Sequence, residues 1–369
     1  MRLTEVELSV VRLPLVRPFE TSFGSIAARE FILVAARDGE TTGWGECVAD
    51  VDPFYSAETT ATAWHVLSAY LIPAVLGRSF DTATEMTDLW PPVRGHRMAK
   101  AALEMAVWDL LARREDRPLC EVLGAAPRPI AAGVSIGIQP SVDALVARVS
   151  EELAEGYQRI KIKIKPGWDR APVEAIRQRL GAVPLMVDAN AAYRAEDLDL
   201  LAALDQFDLM MIEQPLDYDD LVDHARLQAA IGTPVCLDES ITGPKAAADA
   251  LGLGACRVIN IKPGRMGGLG PSMAVHDLAG RAGIAVWHGG MLESGIGRSH
   301  NLHLSTLPGF SLPGDVAASR RYFEPDLIDP PIEVAADGTV AVPPGPGIGV
   351  EPVPERLRSA TLRSERFAT

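Results

Sequence analysis

The stretch RIKIKIKPGWD, residues 159–169, decides how the rest of the chain is read. Isoleucine and lysine alternate in it: Ile160, Ile162 and Ile164 against Lys161, Lys163 and Lys165. A period of two is the pattern of a β-strand with two unlike faces. Two arrangements satisfy it. A solvated edge strand carries its lysines outward, where they block sheet-to-sheet pairing. A strand in a closed barrel packs one face on an outer helix layer and turns the other inward. The neighbouring segments have to choose.

Working outward, short apolar segments recur, each followed by a helical stretch. They are AAGVSIGI (131–138), PLMVDAN (184–190), LMMIEQP (209–215), PVCLDES (234–240), RVINIKPG (257–264) and IAVWHGG (284–290), with GFSLPGD (309–315) as a weaker eighth. Steady β-α alternation means parallel strands joined by crossover helices. Eight such units close into a (β/α)8 barrel, which typically needs about 250 residues. An open doubly wound sheet is the alternative. The segment GRMGGLG (264–270) has neither phosphate-loop nor dinucleotide-loop order and reads as a tight strand-to-helix connection.

Residues 1–125 have a different texture. LTEVELSVVRLPL, REFILVAARDG and TTGWGECVAD read as short antiparallel strands. MAKAALEMAVWDLLARRE (98–115) carries apolar residues at helical spacing, among them Leu103, Val107 and Leu110. This is an α+β domain. Residues 126–320 hold the barrel. The tail 321–369, rich in Pro and Gly, is expected to pack back on the first domain.

The bulk numbers fit a globular protein. With 369 residues and 47% of hydrophobic type, the chain can bury one large or two ordinary cores. A formal net charge of −14 argues against nucleic acid or an anionic membrane as the main partner. Cys47, Cys120, Cys236 and Cys256 are scattered, so reduced buried thiols are expected rather than a disulfide framework. The start lacks a signal peptide's apolar core, and no apolar run reaches membrane-helix length. A cytoplasmic location is the expectation.

Charged residues end five successive strands: Lys163, Asp188, Glu213, Asp238 and Lys262, at intervals of 25, 25, 25 and 24 residues. In a barrel the carboxyl ends of the strands converge on one mouth. Asp188, Glu213 and Asp238 would then face one point and repel each other. Mg²⁺, a hard cation that takes oxygen ligands, relieves that repulsion. Each carboxylate alone also fits a strand end or a helix cap. The lysines now fall into place: Lys161 and Lys163 turn inward, and Lys262 arrives from the far side. Two lysines across a metal-held carboxylate suggest removal of an α-proton through an enediolate, with return of the proton from the opposite face or loss of a β-leaving group.

KIK (161–163), DAN (188–190), IEQPL (212–216), LDES (237–240) and NIKPGRMGG (260–268) together resemble the enolase superfamily, in its muconate-lactonizing-enzyme subgroup. More narrowly, PFETSFGS (18–25), GHRMAKAALEMAVWD (95–109), IKPGWD (164–169), GGMLESGIGR (289–298) and LSTLPGFSLPGD (304–315) resemble the N-succinylamino acid racemase/o-succinylbenzoate synthase family. The resemblance implies an α/β fold: a modified (β/α)8 TIM barrel with an N-terminal α+β capping domain completed by the C-terminal segment. It implies dehydration of 2-succinyl-6-hydroxy-2,4-cyclohexadiene-1-carboxylate to o-succinylbenzoate, racemisation of N-succinylamino acids, or both. Asp188, Glu213 and Asp238 would bind Mg²⁺, for which Mn²⁺ or another divalent cation can substitute. Lys163 and Lys262 would be the acid/base pair, with Lys163 doing the proton work of the dehydration. Lys161 would polarise the substrate carboxylate, and Ser135 and Asn190 would line the pocket. PFETSFGS would be a mobile loop whose Phe19 and Phe23 exclude water, a plain hairpin turn being the alternative. Gly289, Gly290 and Met291 would leave room for the succinyl arm, and Arg265 stands where racemases tend to carry arginine. The partners implied are a small carboxylate and other copies of the same chain, as a homo-oligomer.

Two residues depart from neighbouring branches. His288 ends the seventh strand, where the mandelate-racemase branch places a histidine base, but that branch pairs it with an aspartate where this chain has Lys262. His288 is therefore expected to line the pocket. Dipeptide epimerases carry Asp-x-Asp at the eighth strand, and this chain has Asp315 alone. Dipeptide epimerase and muconate cycloisomerase are the rival activities, and a non-catalytic metal-stabilised barrel is the rival of another class.

Overall fold

The computed structural model describes residues 1–369. Three strands open the chain: β1 (Glu5–Glu20), β2 (Ser25–Arg37) and β3 (Thr42–Cys47). They pair antiparallel in that order. β1 outruns its apolar pattern. Its register with β2 breaks between Pro14 and Phe19 and resumes with Phe19 opposite Ile26 and Glu20 opposite Ser25. Proline has no N–H to give the ladder, which accounts for the break at Pro14–Pro18. Residues 18–25 thus form the tip of the β1–β2 hairpin.

Helix α1 (Arg97–Arg114) lies across this sheet. It comes unusually close to β3, because Gly43 and Gly45 have no side chains. A Cβ at Gly45 would fall 2.0 Å from the Ala102 carbonyl oxygen, and one at Gly43 would fall 2.2 Å from that of Ala106. On its other side α1 meets the barrel. Leu103, Val107 and Leu110 join the first domain's core, while Ala101 and Met105 join the barrel's. Buried Glu104 fastens the two: it accepts from the backbone N–H groups of Leu269 (2.8 Å) and Gly270 (2.9 Å).

Seven parallel strands follow: β4 (Gly133–Ile136), β5 (Arg159–Lys163), β6 (Leu185–Asp188), β7 (Ile212–Glu213), β8 (Val235–Leu237), β9 (Val258–Ile261) and β10 (Ala285–His288). They neighbour one another in chain order. Residues 309–315 close the ring, with parallel bridges Val286–Phe310 on one side and Ala132–Gly314 on the other. Crossover helices such as Arg170–Leu180 and Leu269–Arg281 cover the outside.

The alternation in β5 resolves as a barrel strand. Ile160, Ile162 and Ile164 are fully buried with Val173 and Ile176 of the helix layer. Arg159, Lys161 and Lys163 point inward. The same phase on the other strands brings Met186, Met211, Cys236, Val258 and Trp287 together as an apolar floor. Arg159 stacks on it, its guanidinium carbon 4.5 Å from the Trp287 ring centroid. The barrel interior is therefore layered, as packed barrels are: floor, a cationic layer, then the mouth. The four cysteines are buried and free.

The final strand, β11 (Thr361–Ala368), pairs antiparallel with β1, Glu5 opposite Ala368. The first sheet therefore has the order β11-β1-β2-β3. No helix is long and apolar enough to cross a membrane.

Candidate active site

The strands end in register at the mouth. Lys163 pairs with Asp188, and Asp188 with Glu213, as neighbouring rungs of the parallel ladder. One rung further, Glu213 pairs with Cys236, two residues before Asp238. Above these ends is a cavity of about 390 Å³. Lys161, Lys163, Asn190, Lys262 and Ser135 line it from the barrel, and Phe19, Phe23 and Tyr55 from the first domain.

Each carboxylate is met by a cation. Asp188 Oδ2 accepts from Lys163 at 2.6 Å and lies 3.1 Å from Lys161 Nζ. Glu213 accepts from Lys161 (3.0 Å) and from Asn260 Nδ2 (2.7 Å). Asp238 accepts from Lys262 at 2.7 Å and from the guanidinium of Arg265. Lys163 also donates to Asn190 Oδ1 at 2.7 Å, and Asn190 Nδ2 donates to Glu239 at 2.9 Å. At the wall, Asp315 accepts from Ser135 Oγ (2.9 Å) and from Arg159, and lies 3.3 Å from Lys161 Nζ.

This burial and pairing sets the charges apart. Burial alone would raise the Asp188 carboxyl, but Lys163 and Lys161 hold it well below the usual carboxylate range. Asp315 is held low in the same way by Arg159 and Lys161. Burial lowers Lys163 below an ordinary lysine, and Asp188 only partly offsets it. Burial also acts on Lys262, but there Tyr55, Glu213 and Glu239 outweigh it and the ammonium form is favoured. Glu239 is pushed up to about 7, first by burial and then by the charge on Asp188. Its Oε2 has no hydrogen-bond partner.

The three strand-end carboxylates do not converge into a ready-made coordination cluster, because ammonium groups stand between them. Their chemistry nevertheless suits a hard divalent cation. They are carboxylate oxygens on adjacent strands, 0–1% exposed. Buried cations (Arg159, Lys161, Lys163, Lys262, Arg265) thus stand against the buried carboxylates Asp188, Glu213, Asp238 and Asp315, and Arg29, Glu293 and Arg298 are buried along the same cavity.

Some residues lie elsewhere than their motifs suggest. His288 is one position out of phase with the inward residues Trp287 and Gly289. It points into the helix layer, 6.5 Å from the Phe310 ring, and does not line the cavity. Burial pulls it down to about 4, so the ring is neutral. Gly290 and Met291 line the cavity, but Gly289 does not: a Cβ there would fall 2.2 Å from Asn260 Oδ1, so its role is to admit Asn260. Arg265 is neither on the surface nor in the cavity wall. It is 4% exposed and sits behind Asp238, donating also to the Ile241 carbonyl at 2.9 Å. Phe23 is 39% exposed at the hairpin tip, where it lines the cavity, while Ser22 Oγ donates to the Asn190 carbonyl at 3.4 Å.

The motifs left three contributors unnamed and a fourth, Asp315, without a role. Arg159 and Asn260 share the inward phase of Lys161 and Lys262, so the period-two rule could have found them. Asp315 ends the eighth strand and was available by position. Tyr55 lies in the aperiodic segment DVDPFYSAE, and nothing in its neighbours signals that it reaches Lys262.

Comparison with known proteins agrees with this geometry. Residues 4–124 match the N-terminal domain of the mandelate racemase/muconate lactonizing enzyme family, and residues 144–356 match the enolase C-terminal domain-like family. The chain is 51% identical to an o-succinylbenzoate synthase of Geobacillus kaustophilus, over 94% of this chain and 92% of that one. It is 49% identical to an N-succinylamino acid racemase of an Amycolatopsis species, over 98% of each. A crystal structure of an enolase-superfamily member from Listeria innocua superposes with a TM-score of 0.96 at 39% identity, covering 100% of this chain and 99% of that one. With the barrel, its inward charges and both domains accounted for, the chain belongs to the mandelate racemase/muconate lactonizing enzyme family of the enolase superfamily.

Proposed function

We propose that the protein removes the proton α to a carboxylate with the help of Mg²⁺, and that it serves both as an o-succinylbenzoate synthase and as an N-succinylamino acid racemase. The observation that carries this reading is the pair Lys163 and Lys262. Both line one cavity, from strands separated by three others, so they approach a substrate from different sides. A structural metal site has no use for two such amines.

The roles follow from position. Asp188, Glu213 and Asp238 would hold Mg²⁺ or Mn²⁺, which when bound supplies positive charge for the substrate carboxylate. Lys161, deepest of the three lysines, keeps an ammonium beside that carboxylate. Lys163 as free amine takes the α-proton, and the C–H electron pair passes into the enediolate. For racemisation, Lys262 delivers a proton to the opposite face. For dehydration, the β-C–O bond breaks, the enediolate electrons form the new double bond, and the leaving hydroxide takes its proton from the Lys163 ammonium. Lys262 then acts as a fixed cation. Asn190 holds Lys163, and Ser135 sits at the wall beside Asp315. The reading includes action in the cytoplasm, and as a homo-oligomer, the latter on the family resemblance.

Dipeptide epimerisation is disfavoured by one contact set. Asp315 is occupied by Arg159, Lys161 and Ser135 and is not free to hold a peptide ammonium.

Proton NMR in D₂O tests the proposal. With Mg²⁺ and an N-succinyl-L-amino acid bearing a bulky apolar side chain, the α-proton signal and the optical rotation are expected to disappear together. Loss of the α-proton with rotation retained would limit the chemistry to one lysine. No exchange, with no dehydration of the cyclohexadiene substrate either, would overturn the reading.

A further inference from the structure

The two mouth lysines are held alike but from different places. Lys163 Nζ has a carboxylate partner, Asp188, and a neutral oxygen partner, Asn190 Oδ1 at 2.7 Å. Both come from the barrel. Lys262 Nζ has a carboxylate partner, Asp238, and donates to a neutral oxygen, Tyr55 Oη, at 3.1 Å. Tyr55 belongs to the first domain. Its hydroxyl in turn donates to Asp238 Oδ1 at 3.1 Å, and its ring centroid lies 4.8 Å from the Lys262 ammonium. An ammonium with a carboxylate, a hydroxyl and an aromatic face around it has little freedom to turn.

The loop that carries Tyr55 is fastened at both ends. On one side Asp50 pairs with Arg29 and its carbonyl accepts from Thr60 N at 2.8 Å. On the other, Glu58 accepts from Met98 N (2.8 Å) and Ala99 N (3.1 Å) in the first turn of α1, where a carboxylate is favoured. Between these anchors Val51 and Phe54 are exposed at the cavity mouth, while Tyr55 turns inward. The hydroxyl is thus presented on a pinned segment.

We infer that Tyr55 is a positioning residue for Lys262, so that proton transfer on the Lys262 face of the substrate, and not on the Lys163 face, depends on the first domain. This rests on the two-lysine reading proposed above. A small misplacement of a proton-transfer group is costly, up to about a hundredfold in rate for roughly 1 Å. Tyr55→Phe keeps the ring and its packing and removes only the hydroxyl.

The test is α-proton exchange in D₂O, measured separately from the L and D enantiomers of one N-succinylamino acid. Lys262→Ala identifies the enantiomer that Lys262 serves, as the one whose exchange is lost. Tyr55→Phe is expected to lower kcat for exchange from that enantiomer about tenfold. Exchange from the other enantiomer, and dehydration to o-succinylbenzoate, need Lys262 only as a nearby charge and should fall several-fold less. Mg²⁺ affinity by calorimetry should stay within about twofold. Equal loss from both enantiomers, loss from neither, or a tenfold weaker Mg²⁺ affinity would overturn the inference, the last by placing the effect at Asp238. Should Tyr55→Phe melt below the assay temperature, Tyr55→Leu, which also lacks the hydroxyl, goes through the same assay with the same outcomes. Wild-type protein that exchanges neither enantiomer would instead overturn the racemase reading, and the inference with it.

Discussion

Asp315 accepts from Ser135 at 2.9 Å, lies 3.3 Å from the Lys161 ammonium and also meets the guanidinium of Arg159, all out of water. Breaking a buried ion pair by removing one partner costs about 3–5 kcal/mol, because the remaining charge stays buried and uncompensated. Asp315→Asn is therefore expected to lower unfolding stability by about 3 kcal/mol in urea titration and to raise KM through a displaced Ser135 and Lys161. Unchanged stability would mean that the hydrogen bond Arg159 Nε already donates to the Pro313 carbonyl, at 2.9 Å, is enough to hold the guanidinium. At this scale the inward residues Lys161, Lys163, Asp188, Glu213, Asp238 and Lys262 were legible in the sequence because strand phase is strict: two residues on, the side chain returns to the same face. The same rule misplaced His288 only because a motif position was read in place of its phase. Tyr55 was not legible, since it arrives by tertiary contact from an aperiodic loop.

Between elements, the decisive contact is α1 on β3. Glycine in a strand ordinarily weakens it, yet Gly43 and Gly45 stand two apart on one face of a short strand. The structure gives the reason: the helix backbone occupies the space their side chains would fill. Gly45→Ala brings a methyl carbon against the Ala102 carbonyl at 2.0 Å and Ala106 N at 2.8 Å, both backbone atoms that cannot swing aside. The sheet and helix must separate, and overpacking of this kind costs roughly 1–3 kcal/mol or more. Thermal unfolding of Gly45→Ala should show the loss. A variant that melts with the wild type would mean that the close approach is not maintained in solution. Strand existence was readable here from apolar alternation, and helix α1 from its 3.6-residue spacing. The length of β1 was not, because Pro14 and Pro18 interrupt the pattern while pairing resumes beyond them.

Across the whole molecule, the change in texture near residue 125 announced two structural units, because antiparallel strands and β-α repeats have different periods. How the units hold each other was hidden, since it depends on buried polar groups whose partners are far away in sequence. Two of these are histidines on the helix Gly295–Leu304. His300 Nε2 donates to the Trp44 carbonyl of β3 at 2.7 Å, and His303 Nδ1 accepts from Cys120 N at 3.1 Å. Both are neutral in the fold, burial pulling His300 down to about 3 and His303 to about 4. An unfolded histidine titrates near 6.5. Between pH 6.5 and 4 the unfolded chain therefore binds more protons than the folded one, and stability falls as pH falls. The contribution is complete above about pH 6.5 and exhausted once pH has dropped through the folded values. For His303 this amounts to about 3 kcal/mol, at 1.36 kcal/mol for each pH unit of the window. His303→Gln retains an acceptor for Cys120 N and cannot titrate. Urea unfolding of wild type and variant at pH 7 and pH 4 should show the stability difference moving in the variant's favour by about that amount at the lower pH. Buried Glu46, Glu104 and Asp109 are raised to about 8, 7 and 6 by their burial and titrate in both proteins, so they cancel in the comparison. A difference that stays constant between the two pH values would show that His303 is already protonated in the fold, and that the contact between the two domains is not acid-sensitive through this residue.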